Sequence, residues 1–237
     1  MALAASPWLA LALLGLLLVA AGADAERRGW AVVAIATLAL FLALRAVPQL
    51  VPGDRWIGDL WDWSGPLLGL AGVLAVAGLL VRRGLLDWTD AGITLRQAPG
   101  SLPVAVGVAG AALAINYVMM SFSTFRLPGV PLETWLYQAT VPALVEETVF
   151  RGVLLAMADR AVSARRARWE VVGARIGWGG LAVTLAFLAL HGISLGTLLG
   201  VLPAALLYLW LRACTGSLLL PIVVHALWNL GVYAAHL

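Results

Sequence analysis

An otherwise apolar stretch of the chain carries three ionisable side chains within six residues: Glu146, Glu147 and Arg151. A charge at the centre of a bilayer costs about 3 kcal/mol on insertion scales, so such groups face a protein interior or a water-filled cavity. In a helix, Glu147 and Arg151 are four residues apart and share a face, whereas Glu146 points about 100° away. The stretch therefore predicts a helix in which Glu147 and Arg151 neutralise each other and Glu146 remains free for chemistry.

The composition requires a membrane around this helix. Hydrophobic residues make up 62% of the 237 residues and charged residues 11%, whereas a soluble domain has about 25% charged residues. A membrane-spanning helix needs about 20 apolar residues, which leaves room for roughly eight spans. We therefore predict an all-α polytopic membrane protein with a single transmembrane domain over residues 1–237. The only cysteine, Cys214, excludes an intrachain disulfide and is interpreted as a small packing residue.

Eight apolar runs are the predicted spans. They cover residues 7–22, 30–44, 66–80, 102–120, 135–158, 178–191, 195–211 and 218–233. We interpret the first as a retained span rather than a cleaved signal peptide, because residues 1–7 carry no positive charge. Aromatic and acidic residues alternate over 51–63, which favours a short helix in the membrane interface, with a plain loop as the alternative.

The arginines predict the orientation of these spans. The chain has no lysine, and with the amino terminus outside, eleven arginines fall on cytoplasmic loops and three on outer loops. Because basic residues stay on the cytoplasmic side, both termini are expected outside the cytoplasm. The arginine-only, small-residue-rich composition indicates a prokaryotic cytoplasmic membrane. The basic loops suit lipid headgroups, and no motif predicts binding to nucleic acid.

Further polar side chains lie within the later spans. His191 has Phe187 four residues before it, and His225 has Asn229 four residues after it. At about 1.5 Å of rise per residue, Glu146, both histidines and Asn229 fall in the middle third of the bilayer. A carboxylate beside a histidine can activate water, and a second histidine with an amide can stabilise an oxyanion. This set fits hydrolysis of an amide without a covalent nucleophile, and neither Gly-x-Ser-x-Gly nor His-Glu-x-x-His occurs.

These patterns resemble the three motifs of the CAAX protease and bacteriocin-processing family, also called Abi, which includes the Ras-converting CAAX prenyl endopeptidases. The motifs are Glu146-Glu147-x-x-x-Arg151, Phe187-x-x-x-His191 and His225-x-x-x-Asn229. The resemblance covers roughly residues 101–237, expected to be the catalytic core, and leaves residues 1–100 as variable amino-terminal spans. The resemblance implies that this chain is an intramembrane glutamate endopeptidase with an all-helical fold, no cofactor and a cavity among the motif-bearing helices.

The resemblance also implies roles for the motif residues. Glu146 would be the base that activates water, assisted by His191, and His225 with Asn229 would form the oxyanion site. Glu147 and Arg151 would orient the site. Phe187 would pack beneath His191.

Three functions remain open from the sequence. The first is an intramembrane endopeptidase that acts on a peptide or membrane protein. The second is a non-catalytic membrane immunity or scaffold protein of the same fold, in keeping with the link of this family to bacteriocin self-immunity. The third is a metal-dependent membrane protease, since two histidines and two glutamates could ligate Zn²⁺, although the nearby Arg151 disfavours a cation. The sequence identifies neither the substrate nor any partner subunit.

Overall fold

The computed structural model describes residues 6–50, 57–122, 129–162, 168–192 and 194–236. The protein is 75% helical and has almost no sheet, which confirms the predicted all-α class. In chain order the elements are α1 (Pro7–Leu14), α2 (Leu16–Ala21), α3 (Ala25–Ala46), α4 (Ser64–Arg82), α5 (Ser101–Ser121), α6 (Leu132–Glu146), a π-helical segment (Glu147–Leu154), α7 (Leu155–Ala161), β1 (Arg168–Val171), β2 (Ala174–Gly177), α8 (Trp178–Leu190), a second π-helical segment (Thr197–Val201), α9 (Leu202–Thr215) and α10 (Leu219–Ala234).

Each predicted span coincides with a helical segment. Among the described residues, four helical segments are long and apolar enough to cross a membrane: Ala25–Leu50, Ser64–Arg82, Ser101–Ser121 and Thr197–Thr215. The same part of the chain has three shorter apolar helices: Pro7–Ala21, Trp178–Leu190 and Leu219–Ala234. The continuous helical stretch from α6 to α7 carries the charged motif. The chain is thus an integral membrane protein by its helices, and the total of eight crossings stays a prediction.

Contacts between loops and helix ends define one end of the bundle, which we call the arginine-rich end. The Arg160 guanidinium bonds the Asp90 carboxylate at 2.7 Å, and the Arg212 side chain donates to the Asp90 carbonyl oxygen at 2.7 Å. Burial raises the pKa of Asp90, but the hydrogen bonds from Arg160 and from the Asp87 N–H, together with the charges of Arg160 and Arg212, outweigh this effect and leave the pKa below its ordinary value. Within the described part of the chain, this end carries Arg27, Arg28, Arg82, Arg83, Arg96, Arg160, Arg168, Arg175 and Arg212.

The opposite end is held together by Glu133, in the first turn of α6. Its carboxylate accepts hydrogen bonds from the backbone N–H groups of residues 59–61 and from the Trp63 indole. Burial alone would raise the pKa of Glu133, but these hydrogen bonds together have the larger effect and bring the pKa below its ordinary value. The Trp61 and Tyr137 rings stack beside it, with centroids 4.9 Å apart. Among the described arginines outside the helical interior, Arg45 is the one at this end.

Helices α3 and α4 pack closely because α4 presents glycines to α3. A Cβ atom at Gly65 or Gly69 would collide with the Arg45 carbonyl oxygen or with the Phe41 ring. Small residues four apart allow this close approach of membrane helices. Helix α3 also packs on α7, and α1 packs on α8. The amino-terminal helices therefore support those that carry the motifs.

Two expectations about connecting segments need correction. Residues 57–63 are not helical, so the interface helix proposed over 51–63 is wrong there, and residues 51–56 lie outside the described residues. Glu133 explains the loop, since it binds three successive N–H groups that a helix over 51–63 would pair with carbonyl oxygens four residues earlier. The basic loop before span six contains an antiparallel hairpin, β1 and β2, in which Arg168 pairs with Gly177. Trp210 fastens this hairpin through its indole N–H to the Val171 carbonyl oxygen.

Candidate active site

The first motif lies where α-helix gives way to π-helix. Residues Glu147–Leu154 are π-helical and all are buried, and single-turn π segments are frequent at functional sites. Pro142, within α6, has no N–H, so the Gln138 carbonyl oxygen lacks its usual helical donor. The Asn229 amide donates to this oxygen at 3.5 Å. Because Pro142 leaves this oxygen free, Asn229 of the third motif makes a long hydrogen bond to the helix that carries the first motif.

Glu147 and Arg151 form the predicted ion pair in a fully enclosed position. Their side chains are 0% and 1% exposed, and the guanidinium lies 3.3 Å from the Glu147 Oε1 atom. Arg151 also donates to the Ala205 carbonyl oxygen at 3.1 Å and lies over the Phe187 ring, 4.2 Å from its centroid. A buried charge pair needs such additional partners to offset its loss of hydration. This pair joins the π segment to both α8 and α9.

Glu147 has a second partner that the sequence did not indicate. The His225 Nδ1 atom lies 2.8 Å from the Glu147 Oε1 atom. Because the carboxylate paired with Arg151 accepts hydrogen bonds, Nδ1 carries the proton, and the Nε2 atom of a neutral His225 is an acceptor. Nε2 lies 4.0 Å from the Glu146 Oε2 atom. Glu147 thus orients His225 toward Glu146.

His191 faces the same carboxylate from another helix. Its Nδ1 atom lies 3.0 Å from the Phe187 carbonyl oxygen and so must donate. Its ring packs on the Phe187 ring with centroids 4.4 Å apart, as the resemblance implied. Its Nε2 atom lies 3.9 Å from the Glu146 Oε2 atom. Two imidazoles from α8 and α10 therefore turn the same nitrogen toward one carboxylate oxygen.

The space between these three groups suits a water molecule. Separations of 3.9 and 4.0 Å are too long for direct hydrogen bonds. They leave room for one oxygen at about 2.8 Å from the carboxylate and from an imidazole. The side chains of Glu146, His191 and His225 are 16%, 33% and 7% exposed. The site is therefore enclosed, and its exposure is greatest at His191, at the end of α8.

A cavity of about 270 Å³ leads to these groups from α5, α8, α9 and α10. The predicted residues that line it are Phe187, His191, His225 and Asn229. Glu146 lies beside this cavity, on a smaller space bounded by Tyr137 and Pro142. Larger cavities lie elsewhere, including one of about 760 Å³ at the arginine-rich end, but the motif side chains surround the smaller one.

Tyr208 of α9 belongs to this cavity and was not predicted. Its ring stacks on the His225 imidazole, with centroids 4.7 Å apart and planes at 15°. Its hydroxyl is buried and has no hydrogen-bond partner among the described residues. A single phenol within an apolar span was the available signal, but nothing in its spacing connects it to His225. Asn116 of α5 donates to the Trp228 carbonyl oxygen of α10 at 3.5 Å.

The donors for a metal site are sparse. Among the described residues, no group of three or more His, Cys, Asp or Glu side chains is arranged to hold a metal ion. Glu147, which could have been a ligand, is already bound by Arg151 and His225. These contacts favour the use of Glu147 as a positioning group.

Comparison with known proteins bears on this arrangement. Residues 128–231 match the model of the Rce1-like family, described as type II CAAX prenyl endopeptidase Rce1-like. No curated protein and no solved structure matches the chain. The matched segment contains all seven residues of the three motifs and lies within the predicted core. The resemblance to the CAAX protease family is therefore confirmed, and residues 128–231 are similar to the Rce1-like family, whose description is that of CAAX prenyl endopeptidases.

Proposed function

We propose that this protein is an intramembrane endopeptidase that hydrolyses a peptide bond with water activated by Glu146 and His191. The observation that supports this proposal most strongly is the approach of two imidazole Nε2 atoms to within 4.0 Å of one Glu146 oxygen. The Glu146 side chain is 16% exposed, so its carboxylate can meet water while the surrounding side chains enclose it. The substrate is a peptide or a membrane protein, in keeping with the family.

In the proposed reaction, Glu146 takes a proton from the water as its oxygen bonds to the scissile carbonyl carbon. The carbonyl oxygen becomes an oxyanion, and the carbon–nitrogen bond then breaks. The proton held by Glu146 passes to the departing nitrogen, so that the base is restored. His191 holds the water through its Nε2 atom, since its Nδ1 proton is committed to the Phe187 carbonyl oxygen.

Stabilisation of the oxyanion is assigned to His225 and Asn229. Because the Nδ1 proton of His225 points to Glu147, Nε2 can donate only when the imidazole is cationic. The proposal therefore requires a His225 imidazolium in the transition state, whose Nδ1 proton is held by Glu147 and whose charge faces the developing oxyanion. Asn229 supplies an amide N–H, and its other N–H is bound to the Gln138 carbonyl oxygen.

Membrane peptidomics tests the proposal in cells. Cells with the native protein are compared with cells that carry Glu146→Gln, and Glu170→Gln serves as a matched control because Glu170 is exposed on the hairpin. We expect one or more uncut membrane peptides to accumulate with Glu146→Gln and not with Glu170→Gln. Identical peptide profiles, together with an unchanged cellular phenotype, would contradict a protease and support the immunity or scaffold alternative.

A chelation experiment separates the proposal from the metal-dependent alternative. Cleavage of the accumulated peptide by purified protein is measured with and without a zinc chelator. Activity that is unaffected by chelation supports water activation by Glu146. Activity that is lost on chelation and restored by added Zn²⁺ contradicts it.

A further inference from the structure

We infer that the catalytic cavity opens on the extracytoplasmic side of the membrane, so that the substrate is an extracytoplasmic, membrane-proximal peptide segment. The inference rests on the proposed function for its substrate, but its structural part concerns only the direction of the cavity. Three features of the molecule support it: the arginine distribution, the position of the cavity along the helices, and the closed packing on its other side.

The two ends of the bundle differ in charge. Nine described arginines lie at the arginine-rich end, and one, Arg45, lies at the opposite end. Contacts place their segments at one end: Leu218 N–H donates to the Gly92 carbonyl oxygen, one cavity is lined by Arg27, Leu85 and Arg160, and another is lined by Asp90, Arg175 and Arg212. Basic residues of membrane proteins concentrate on the cytoplasmic side. The arginine-rich end is therefore cytoplasmic and the opposite end is extracytoplasmic.

The cavity runs from the middle of the bundle toward the opposite end. Its deep residues, Tyr208 and His225, lie within α9 and α10, whereas Met120 and Val232 lie in the last turns of α5 and α10. Those turns belong to the opposite end, where the Trp135 and Tyr233 rings meet with centroids 6.2 Å apart. The exposure of the site residues follows the same direction, since His191 at the end of α8 is 33% exposed and His225 is 7% exposed.

The cytoplasmic side of the site is closed by packing. Every residue of the π segment Glu147–Leu154 is buried, as are residues 155–158 of α7. The buried pair of Glu147 and Arg151 lies within this layer. A substrate that approached from the arginine-rich end would have to displace it, whereas the cavity offers a route from the other side.

The cavity lining indicates what kind of segment would enter. No Asp, Glu, Lys or Arg occurs among the residues that line it, and the polar groups besides the histidines are Asn116, Tyr208 and Asn229. Apolar side chains such as Met120 and Val232 occupy its outer part. An uncharged, largely apolar peptide with its backbone hydrogen-bonded to the amides suits this surface. The carboxyl terminus of a cytoplasmic protein anchored in the inner leaflet would lie on the wrong side.

Cysteine accessibility tests the direction of the cavity without measuring catalysis. Three single-cysteine variants are made in a Cys214→Ala background: Val232→Cys in the cavity, Leu132→Cys at the opposite end, and Glu170→Cys on the hairpin. Right-side-out membrane vesicles are treated with a membrane-impermeant thiol reagent before and after permeabilisation. Thermal unfolding in detergent confirms that each variant is folded.

We expect Leu132→Cys and Val232→Cys to be labelled in sealed vesicles and Glu170→Cys to be labelled only after permeabilisation. Labelling of Val232→Cys only after permeabilisation, or on neither occasion, overturns the inference and leaves the peptidase proposal in place. Conversely, the expected labelling in a protein whose peptide profile does not depend on Glu146 supports the proposed direction of the cavity and contradicts the peptidase proposal. A cleavage reporter with the accumulated peptide fused on either side of the membrane then tests the substrate class, and cutting of the cytoplasmic fusion alone contradicts it.

Discussion

Replacement of Arg151 by methionine tests whether the enclosed ion pair holds the motif helices together. The change keeps much of the side-chain volume but leaves Glu147, which is 0% exposed, without its cation. Removal of one partner from a buried pair costs about 3–5 kcal/mol. For a chain of this size, 1 kcal/mol shifts the unfolding midpoint by about 2–4 °C, so we expect Arg151→Met to lower it by about 6–20 °C.

The assay is thermal unfolding of purified protein in detergent, followed by intrinsic tryptophan fluorescence. The control is Arg27→Met, since the pair of Arg27 with Asp24 has side chains 37% and 39% exposed and should contribute about 0–1 kcal/mol. Glu147→Gln removes the unpaired charge that Arg151→Met leaves behind. The double variant should therefore lose at least about 1 kcal/mol less free energy of unfolding than the sum of the losses in the two single variants. Additive losses, or an Arg151→Met midpoint no lower than that of Arg27→Met, would show that the pair of Glu147 and Arg151 does not hold the motif helices together.

Three further predictions concern other parts of the bundle. The pKa of Glu133 is lowered in the folded protein. The contribution of this carboxylate to stability is therefore present above the ordinary carboxyl pKa and is lost as the pH falls through the lowered value. Tryptophan fluorescence should report the release of loop 57–63 in acid, and Glu133→Gln should abolish this pH dependence. Gly69→Leu inserts a side chain against the Phe41 ring and should cost about 1–3 kcal/mol of stability, measured as a lower unfolding midpoint. Gly107→Leu on α5 places its side chain in open space and should leave the unfolding midpoint unchanged. Tyr208→Phe keeps the stack on His225 and removes an unpaired buried hydroxyl, so the unfolding midpoint should stay the same or rise. Tyr208→Leu should lose about 0.5–1.5 kcal/mol of ring–ring attraction in addition to its packing. A lower unfolding midpoint for Tyr208→Phe would show that the hydroxyl has a partner.

The helices were predictable because their signals are local. An apolar run of span length needs no distant partner to be recognised, and predicted spans 66–80 and 102–120 fall inside α4 and α5. The pair of Glu147 and Arg151 follows from four-residue spacing on one helix. Depth counting from a fixed helical rise also placed the histidines near Glu146, since errors of a few residues at a helix boundary move a side chain by only a few ångströms.

The contacts that complete the site join residues far apart in the chain. Glu147 and His225 are 78 residues apart, and no spacing rule connects them, so the sequence left the orientation of His225 open. Tyr208 reaches the same imidazole through the packing of α9 on α10. Similarly, Glu133 was not connected with loop 57–63 because its partners are backbone N–H groups, which every loop has.

The hairpin was missed for a different reason. Its two-residue turn has positive φ at both Val172 and Gly173, a conformation that Asn-Gly usually signals. Valine at the first position concealed the turn among arginines that indicated a solvated loop. The pairing of Arg168 with Gly177 therefore became visible only in the structure.

The assignment of Glu146 as the base is tested most directly by the rate at which purified protein cleaves the peptide that accumulates in Glu146→Gln cells. Native protein, Glu146→Gln and the hairpin control Glu170→Gln are compared at equal concentration and with matched unfolding midpoints. We expect Glu146→Gln to lower kcat/KM by about 10²–10⁴-fold, the usual contribution of a general base, and Glu170→Gln to leave it unchanged. A Glu146→Gln protein that cleaves within roughly tenfold of the native rate, a loss below the range for general-base catalysis, would contradict the role of Glu146 as the base.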